Sequence, residues 1–212
     1  MSSDIELFLK RNPILTKYIK SGLVNITSLA KYIKKSANLD QKTTVASIGM
    51  FIRRYVSKLP KITNRFYLPG YKPQLVIRTG VHELIFIKNK ENREESLKIF
   101  KNISITKYFS CVVEGEKEIV VLTDYPIKDL LKKKGLKNKI SHITDELGFI
   151  SIDFPIKLRE VLGVYNYVTQ ALFLANISIH SFHTIGGEIL ILVKNQDLIK
   201  AQEVLSSALQ TV

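Results

Sequence analysis

The stretch Val161–Val193, VLGVYNYVTQALFLANISIHSFHTIGGEILILV, limits the fold more than any other, because three changes of hydrophobic period lie inside it. Val161, Val164, Tyr165, Val168, Ala171, Leu172 and Ala175 recur at helical spacing and predict one apolar helix face. Asn176 ends that run. Ile177, Ile179 and Phe182 then open a segment rich in β-branched and aromatic residues, which predicts a strand. Gly186-Gly187 is a tight-turn signal, since glycine reaches positive φ without a Cβ clash. Glu188–Val193 is an apolar run fit for a strand covered on both faces. Helix, strand, turn and strand follow without a long loop, so this region must pack as a two-layer α+β unit.

The same order is echoed upstream, residues 74–135 matching 139–210. Gln74–Thr79 precedes Val81–Ile87 as Lys139–Thr144 precedes Glu146–Ile152. A helix over Glu94–Asn102 follows, with Leu97 and Phe100 inside it. Ile103-Ser104-Ile105 then aligns with Ile177-Ser178-Ile179 as a strand, and Gly115–Leu122 aligns with Gly186–Leu192. Closing helices are expected over Pro126–Lys134 and Gln196–Leu205. Two copies of this size are a tandem duplication and not a solenoid, which needs more copies to bury a core. Each copy reads as strand, strand, helix, strand, strand, helix.

The wording of the second copy carries a resemblance. A strand at Phe149–Asp153, Gly163-Val164 at a helix start, Ala175-Asn176-Ile177 at its end, Gly187-Glu188-Ile189 and a closing helix together resemble the ACT domain. That small regulatory module occurs in aspartokinases and other proteins of amino-acid metabolism. The likeness spans about residues 147–210, with one departure: Leu162 stands where the family often has proline. It implies two ferredoxin-like modules pairing into one continuous eight-stranded sheet. The leading strand of each copy would take the place of the module's last strand, an exchange of edges like the interlacing of tandem aspartokinase modules. The resemblance also implies an amino-acid effector at the seam between paired modules, and hence a homodimer. Carried over, its contacts are Leu162, Gly163, Val164, Tyr165 and Asn166 at the loop and helix start, with Asn176 and Ile177 at the next strand. Free N–H groups and the dipole at a helix start suit a carboxylate. The first copy has Lys90–Glu95 where Gly163-Val164 should appear, and reads as a degenerate, structural copy.

Charge separates the remainder. Residues 1–73 hold fourteen Lys/Arg against three Asp/Glu, whereas residues 74–212 hold eighteen against sixteen. The excess of +13 therefore belongs almost entirely to the first third, which points to a polyanionic partner there. Helical spacing is legible around Ile5, Phe8 and Leu9, again from Pro13 to Ile19, and over Ile26, Leu29, Ala30 and Ile33 with Asn25 or Thr27 as cap. A polar connection leads to a helix over Thr43–Leu59. Short helix, connection and longer helix resemble a helix-turn-helix of the winged type. That likeness implies base contacts from Lys42, Thr43, Thr44 and Ser47 and phosphate contacts from Arg53, Arg54 and Lys58. Pro60–Pro73 is either a short wing or a stiff linker, giving domains over 1–72, 73–138 and 139–212.

Other chemistries lack their residues. Cys111, the single cysteine, excludes an internal disulfide and reads as core filler. His180 and His183 stand three apart on a strand, hence on opposite faces and poorly placed for one metal. Phosphate-loop, nucleophile-elbow and zinc-protease motifs are missing, as is any membrane-length apolar run. The sequence thus predicts a cytoplasmic, cofactor-free, non-enzymatic regulator: a DNA-binding head on a tandem ACT body. The alternative is a regulatory or oligomerisation subunit that acts on a biosynthetic enzyme without touching DNA.

Overall fold

A computed structural model describes residues 2–37, 39–40, 42–59, 73–132, 136–157, 161 and 163–210. The chain divides into two compact units, residues 1–64 and 65–212. The expected wing or linker at 60–72 lies outside the described residues.

The first unit is four helices: α1 (Ser2–Arg11), α2 (Pro13–Lys20), α3 (Ile26–Ser36) and α4 (Val45–Lys58). Pro13 sits at the first turn of α2, where its missing N–H would have had no helical partner anyway. Asn25, not Thr27, caps α3, its side-chain oxygen accepting from the Ser28 N–H at 3.0 Å. Ile5, Leu9, Ile33, Ile48 and Ile52 are fully buried where the apolar stripes meet. Gly49 of α4 is buried beside Ile26 of α3, where a Cβ would make an ordinary contact at 3.5 Å.

The second unit is one antiparallel sheet with helices. Its strands are β1 (Leu75–Ile87), β2 (Ser110–Glu114), β3 (Glu118–Thr123), β4 (Ile140–Asp153), β5 (Ile179–Ile185) and β6 (Glu188–Lys194). The order β2-β3-β1-β4-β6-β5 sets β2-β3-β1 against the matching order β5-β6-β4. Among the described residues the sheet has six strands where eight were expected. Each pair of leading segments is a single long strand, bent at Gly80 (φ 66°) and Glu146 (φ 55°) and not broken there. β1 and β4 pair along nearly their whole length, from Leu75 opposite Ile152 to Phe86 opposite Ile140. Only the later half of each meets its own copy, His82–Ile87 against β3 and Leu147–Asp153 against β6. The earlier half of each strand therefore serves as the other copy's edge.

α5 (Lys90–Ser104) and α6 (Ile127–Leu131) cover the first half, and α7 (Val164–Leu174) and α8 (Leu198–Gln210) the second. α5 starts earlier and ends later than its sequence pattern implies. Ile103 and Ser104 belong to α5, not to a strand: Ile99 and Ile103, one turn apart, are both buried, whereas Ile105 is exposed. Leu97 and Phe100 lie on the outer side. The strand expected at 103–105 is instead β2.

The face of the sheet away from the helices is also buried. Val81, Cys111, Leu122, Leu147, Phe149, Leu190 and Leu192 form one cluster there. The sheet curls over this cluster, since side chains from well-separated strands touch. Phe109, just before β2, meets Phe149 of β4 with ring centroids 4.6 Å apart. The Glu83 carboxylate of β1 reaches His180 Nε2 of β5 at 2.7 Å, although β4 and β6 intervene and three strand spacings exceed roughly 14 Å in a flat sheet. A register shift between Ile179 and Ser181 allows this. It corrects the expectation that His180 and His183 face apart: His183, opposite Leu190, also looks into this interior and feels the Glu83 charge. Cys111 is core filler as expected, its thiol pushed up by burial and then by the Glu188 charge. Among the described residues no cluster of three or more His, Cys, Asp or Glu could hold a metal ion.

Burial lowers the His183 pKa below 6.5, partly offset by Glu83, and among the described residues Nε2 has no hydrogen-bond partner. The unfolded chain therefore binds this proton more tightly. Stability is fully present above about pH 6.5 and is lost as pH falls toward the lower folded value. Urea unfolding measured from pH 7.5 down to 5 is expected to show that loss, and His183→Asn to flatten it. Equal slopes would mean that His183 does not carry the loss.

Candidate functional site

The site implied by the resemblance lies where β4 delivers the chain to α7. β4 ends at Asp153, and the Phe154 N–H donates to the Gly187 carbonyl at 2.6 Å, tying this loop to the β5–β6 turn. A Cβ on Gly187 would stand 2.2 Å from the Phe154 oxygen, so only glycine fits. Gly163 caps α7 in the left-handed region with φ 96°; it is exposed, and a Cβ there would meet nothing within 4 Å. It supplies no side-chain acceptor, so among the described residues the first-turn N–H groups of α7 have no side-chain cap.

A cleft of about 10 Å³, room for roughly one water, opens at this helix start. Phe154, Val164, Tyr165 and the turn Gly186–Ile189 line it. Tyr165 is partly exposed and packs edge-on against Phe182 at 6.0 Å. Asn166 is exposed beside it. Glu188 lines the cleft at its place in the turn, but its side chain alternates with Ile189 and its carboxylate lies on the other sheet face, where it accepts from the Ser151 hydroxyl and acts on Cys111. The donors of the helix start suit the carboxylate of a ligand.

The seven residues expected as ligand contacts are placed unequally. Gly163, Val164, Tyr165 and Asn166 lie together, although Val164 is buried and offers only backbone. Leu162 lies outside the described residues. Asn176 and Ile177 sit at the opposite end of α7, roughly 16 Å away for its eleven residues. Asn176 takes φ 57° with its N–H on the Phe173 carbonyl, and Ile177 is buried in the core. The sequence pattern missed Phe154 and Gly187 as site residues, because only folding brings the hairpin turn to the helix start.

The first copy closes the equivalent position. Asn89 caps α5, accepting from the Asn92 N–H at 2.8 Å, while the Asn92 amide donates to the Ile87 carbonyl at 2.8 Å. Its helix start is thus satisfied by its own side chains. Gly163→Ala is expected to lower stability by about 1–2 kcal/mol, the cost of a Cβ in the left-handed region, since no clash is involved. Thermal unfolding checks this, and Gly163→Asn should lose less.

The residues expected to meet DNA are also scattered. Thr43 is buried at 7% exposure, which corrects its placement against bases. Thr44 is the α4 cap, accepting from the Ser47 N–H at 3.1 Å, and the Ser47 hydroxyl donates back to the Thr44 carbonyl at 2.8 Å. Their polar atoms are therefore engaged in capping the start of α4. Lys42, Arg53, Arg54 and Lys58 are exposed.

No protein-family model matches the chain, and no curated protein does. Solved structures match in fold. The aspartate kinase of Clostridium acetobutylicum gives a TM-score of 0.51 at 12% identity, covering 64% of this chain and 34% of its own. The aspartate kinase of Synechocystis gives 0.51 at 13% identity, covering 78% and 31%. The ligand-free regulatory subunit of aspartate kinase from Thermus thermophilus gives 0.50 at 11% identity, covering 63% and 95%. The chain thus spans about a third of the two kinases and nearly all of the regulatory subunit. Among the described residues no helix is long and apolar enough to cross a membrane. The curled antiparallel sheet and its helices share the ACT-like fold of an aspartate kinase regulatory subunit.

Proposed function

We propose that this chain is a non-enzymatic regulatory protein of the ACT kind, which binds an amino acid at the start of α7 and passes that event to a biosynthetic enzyme. The observation that carries the reading is the asymmetry between two copies of one fold. The first copy's helix start is closed by Asn89 and Asn92, whereas the second is glycine-capped and, among the described residues, has no side-chain cap. The α-carboxylate would take the α7 N–H groups, and the α-ammonium would take the Asn166 amide oxygen. A cleft of about 10 Å³ is too small for an amino acid in one chain, so a second copy must complete it. Two α7 helices laid antiparallel about a twofold axis would bring Asn176 of the second copy toward Gly163, reuniting the contacts that α7 separates. Phe173 and Leu174, both 71% exposed, supply apolar surface for that pairing.

Thermal shift against individual amino acids tests the reading. One effector at 100 times its Kd is expected to add about 2.7 kcal/mol of stability, with little response to the others. Uniform silence sinks it.

A DNA-binding output through residues 1–72 is the second reading, favoured by the charge excess there and the exposed Lys42, Arg53, Arg54 and Lys58. It requires duplex affinity whose logarithm falls by roughly 0.9 per phosphate contact with the logarithm of salt. Arg53→Ala/Arg54→Ala should then reduce that slope by nearly two contacts' worth.

A further inference from the structure

A broad concavity on the helical unit lies away from the α4 start where base contacts were expected. It is an open groove of about 470 Å³ between α1 and the second half of α4, lined by Glu6, Phe51, Arg54, Tyr55, Lys58 and Leu59. That volume falls in the range of small-ligand sites. Phe51, Arg54, Tyr55 and Lys58 are spaced i, i+3, i+4 and i+7, so one stripe of α4 carries two rings and two cations. The rings lie nearly parallel, at 14° with centroids 6.4 Å apart. Glu6 does not cancel the cations, because its carboxylate already holds Lys10 at 2.8 Å. Among the described residues Arg54 and Lys58 have no ion-pair partner.

We propose that this groove binds single-stranded nucleic acid, one base stacking on the Phe51–Tyr55 pair and the adjoining phosphates meeting Arg54 and Lys58. Aromatic faces beside fixed cations are what a strand with unstacked bases recognises. A duplex hides its base faces and would find only the charges. An acidic peptide would satisfy Arg54 and Lys58 but leave the paired ring faces without a flat partner. The charge of residues 1–64, twelve Lys/Arg against three Asp/Glu, suits a polyanion that runs beyond the groove. The inference is independent of the amino-acid site and can fail without it.

The test is fluorescence anisotropy of the full chain with a labelled single-stranded oligonucleotide, the matching duplex and a labelled poly-glutamate peptide, each over a salt series. The single strand should bind tighter than the duplex and the peptide. Tyr55→Leu, which keeps apolar volume against the core, should weaken the strand by roughly 5- to 150-fold and leave the salt slope unchanged. Arg54→Gln/Lys58→Gln should reduce the slope by about 1.4, the loss of two single-strand contacts. Melting curves for each variant confirm folding. Equal or tighter duplex binding overturns the proposal in favour of duplex recognition, and tighter peptide binding overturns it in favour of a protein partner. Strand binding that Tyr55→Leu leaves intact, or no binding at all, also overturns it.

Discussion

Replacing His180 by alanine is expected to lower unfolding stability by about 2–3 kcal/mol at neutral pH. The physical reason is the position of Glu83, whose side chain is 7% exposed and is met by His180 Nε2 at 2.7 Å. Removing the ring leaves a carboxylate in a curled apolar interior without its partner. Breaking a buried pair costs about 3–5 kcal/mol, reduced here because the His180 side chain keeps 31% exposure and water can partly replace it. The contact also joins β1 to β5 across two intervening strands, so its loss should loosen the curl as well as lower the midpoint. Glu83→Gln in the same background should recover much of the loss, because the stranded charge is then gone. Urea unfolding of the two single variants and the double variant forms a closed cycle. A His180→Ala midpoint equal to the wild type would mean that the pair does not hold the sheet together.

Gly187→Ala is the second large effect, about 2–3 kcal/mol. A methyl group there would lie 2.2 Å from the Phe154 carbonyl oxygen, which is backbone and cannot rotate aside. Relief requires moving the turn or the loop, and either movement breaks the 2.6 Å bond from the Phe154 N–H to the Gly187 carbonyl. Overpacking of this kind costs about 1–3 kcal/mol, with the lost hydrogen bond added. The same shift moves the turn and Ile189 away from the α7 start, so effector binding should weaken together with stability. Gly186→Asn makes the control: that residue also has positive φ (59°), but nothing lies near its Cβ and asparagine tolerates the left-handed region. Thermal unfolding of the pair separates clash from backbone conformation. Equal losses would refute the close approach.

Local pattern made the second copy legible because each of its signals is short-range. The apolar stripe of α7, the turn at Gly186-Gly187 and the run Glu188–Val193 are all properties of neighbouring residues. Continuity of β1 and β4 was not legible in this way. Gly80 looks like a strand end in sequence, but it and Glu146 bend strands that β1–β4 pairing holds together. Ile103-Ser104-Ile105 alternates like a strand over too few residues to outweigh the helix packing of Ile99 and Ile103. The His180–Glu83 contact depends on a register shift and a curl, both tertiary, so spacing alone put the two histidines on opposite faces. Thr43 reads as polar and exposed in sequence, but packing buries it. The effector site shows the same division. Gly163 is visible as a helix start, whereas Gly187 and Phe154 join it only when the hairpin turn meets the β4 loop.

The most direct measurement is calorimetric titration of the amino acid that most raises thermal stability into the full chain and into Asn166→Ala. Alanine keeps the helix but removes the side-chain oxygen offered to an ammonium group. Saturable binding by the wild type, weakened roughly tenfold or more in the variant, is the result this account predicts. Binding of equal strength to both proteins, or an unfolding transition that no amino acid shifts, would contradict an effector site at the start of α7.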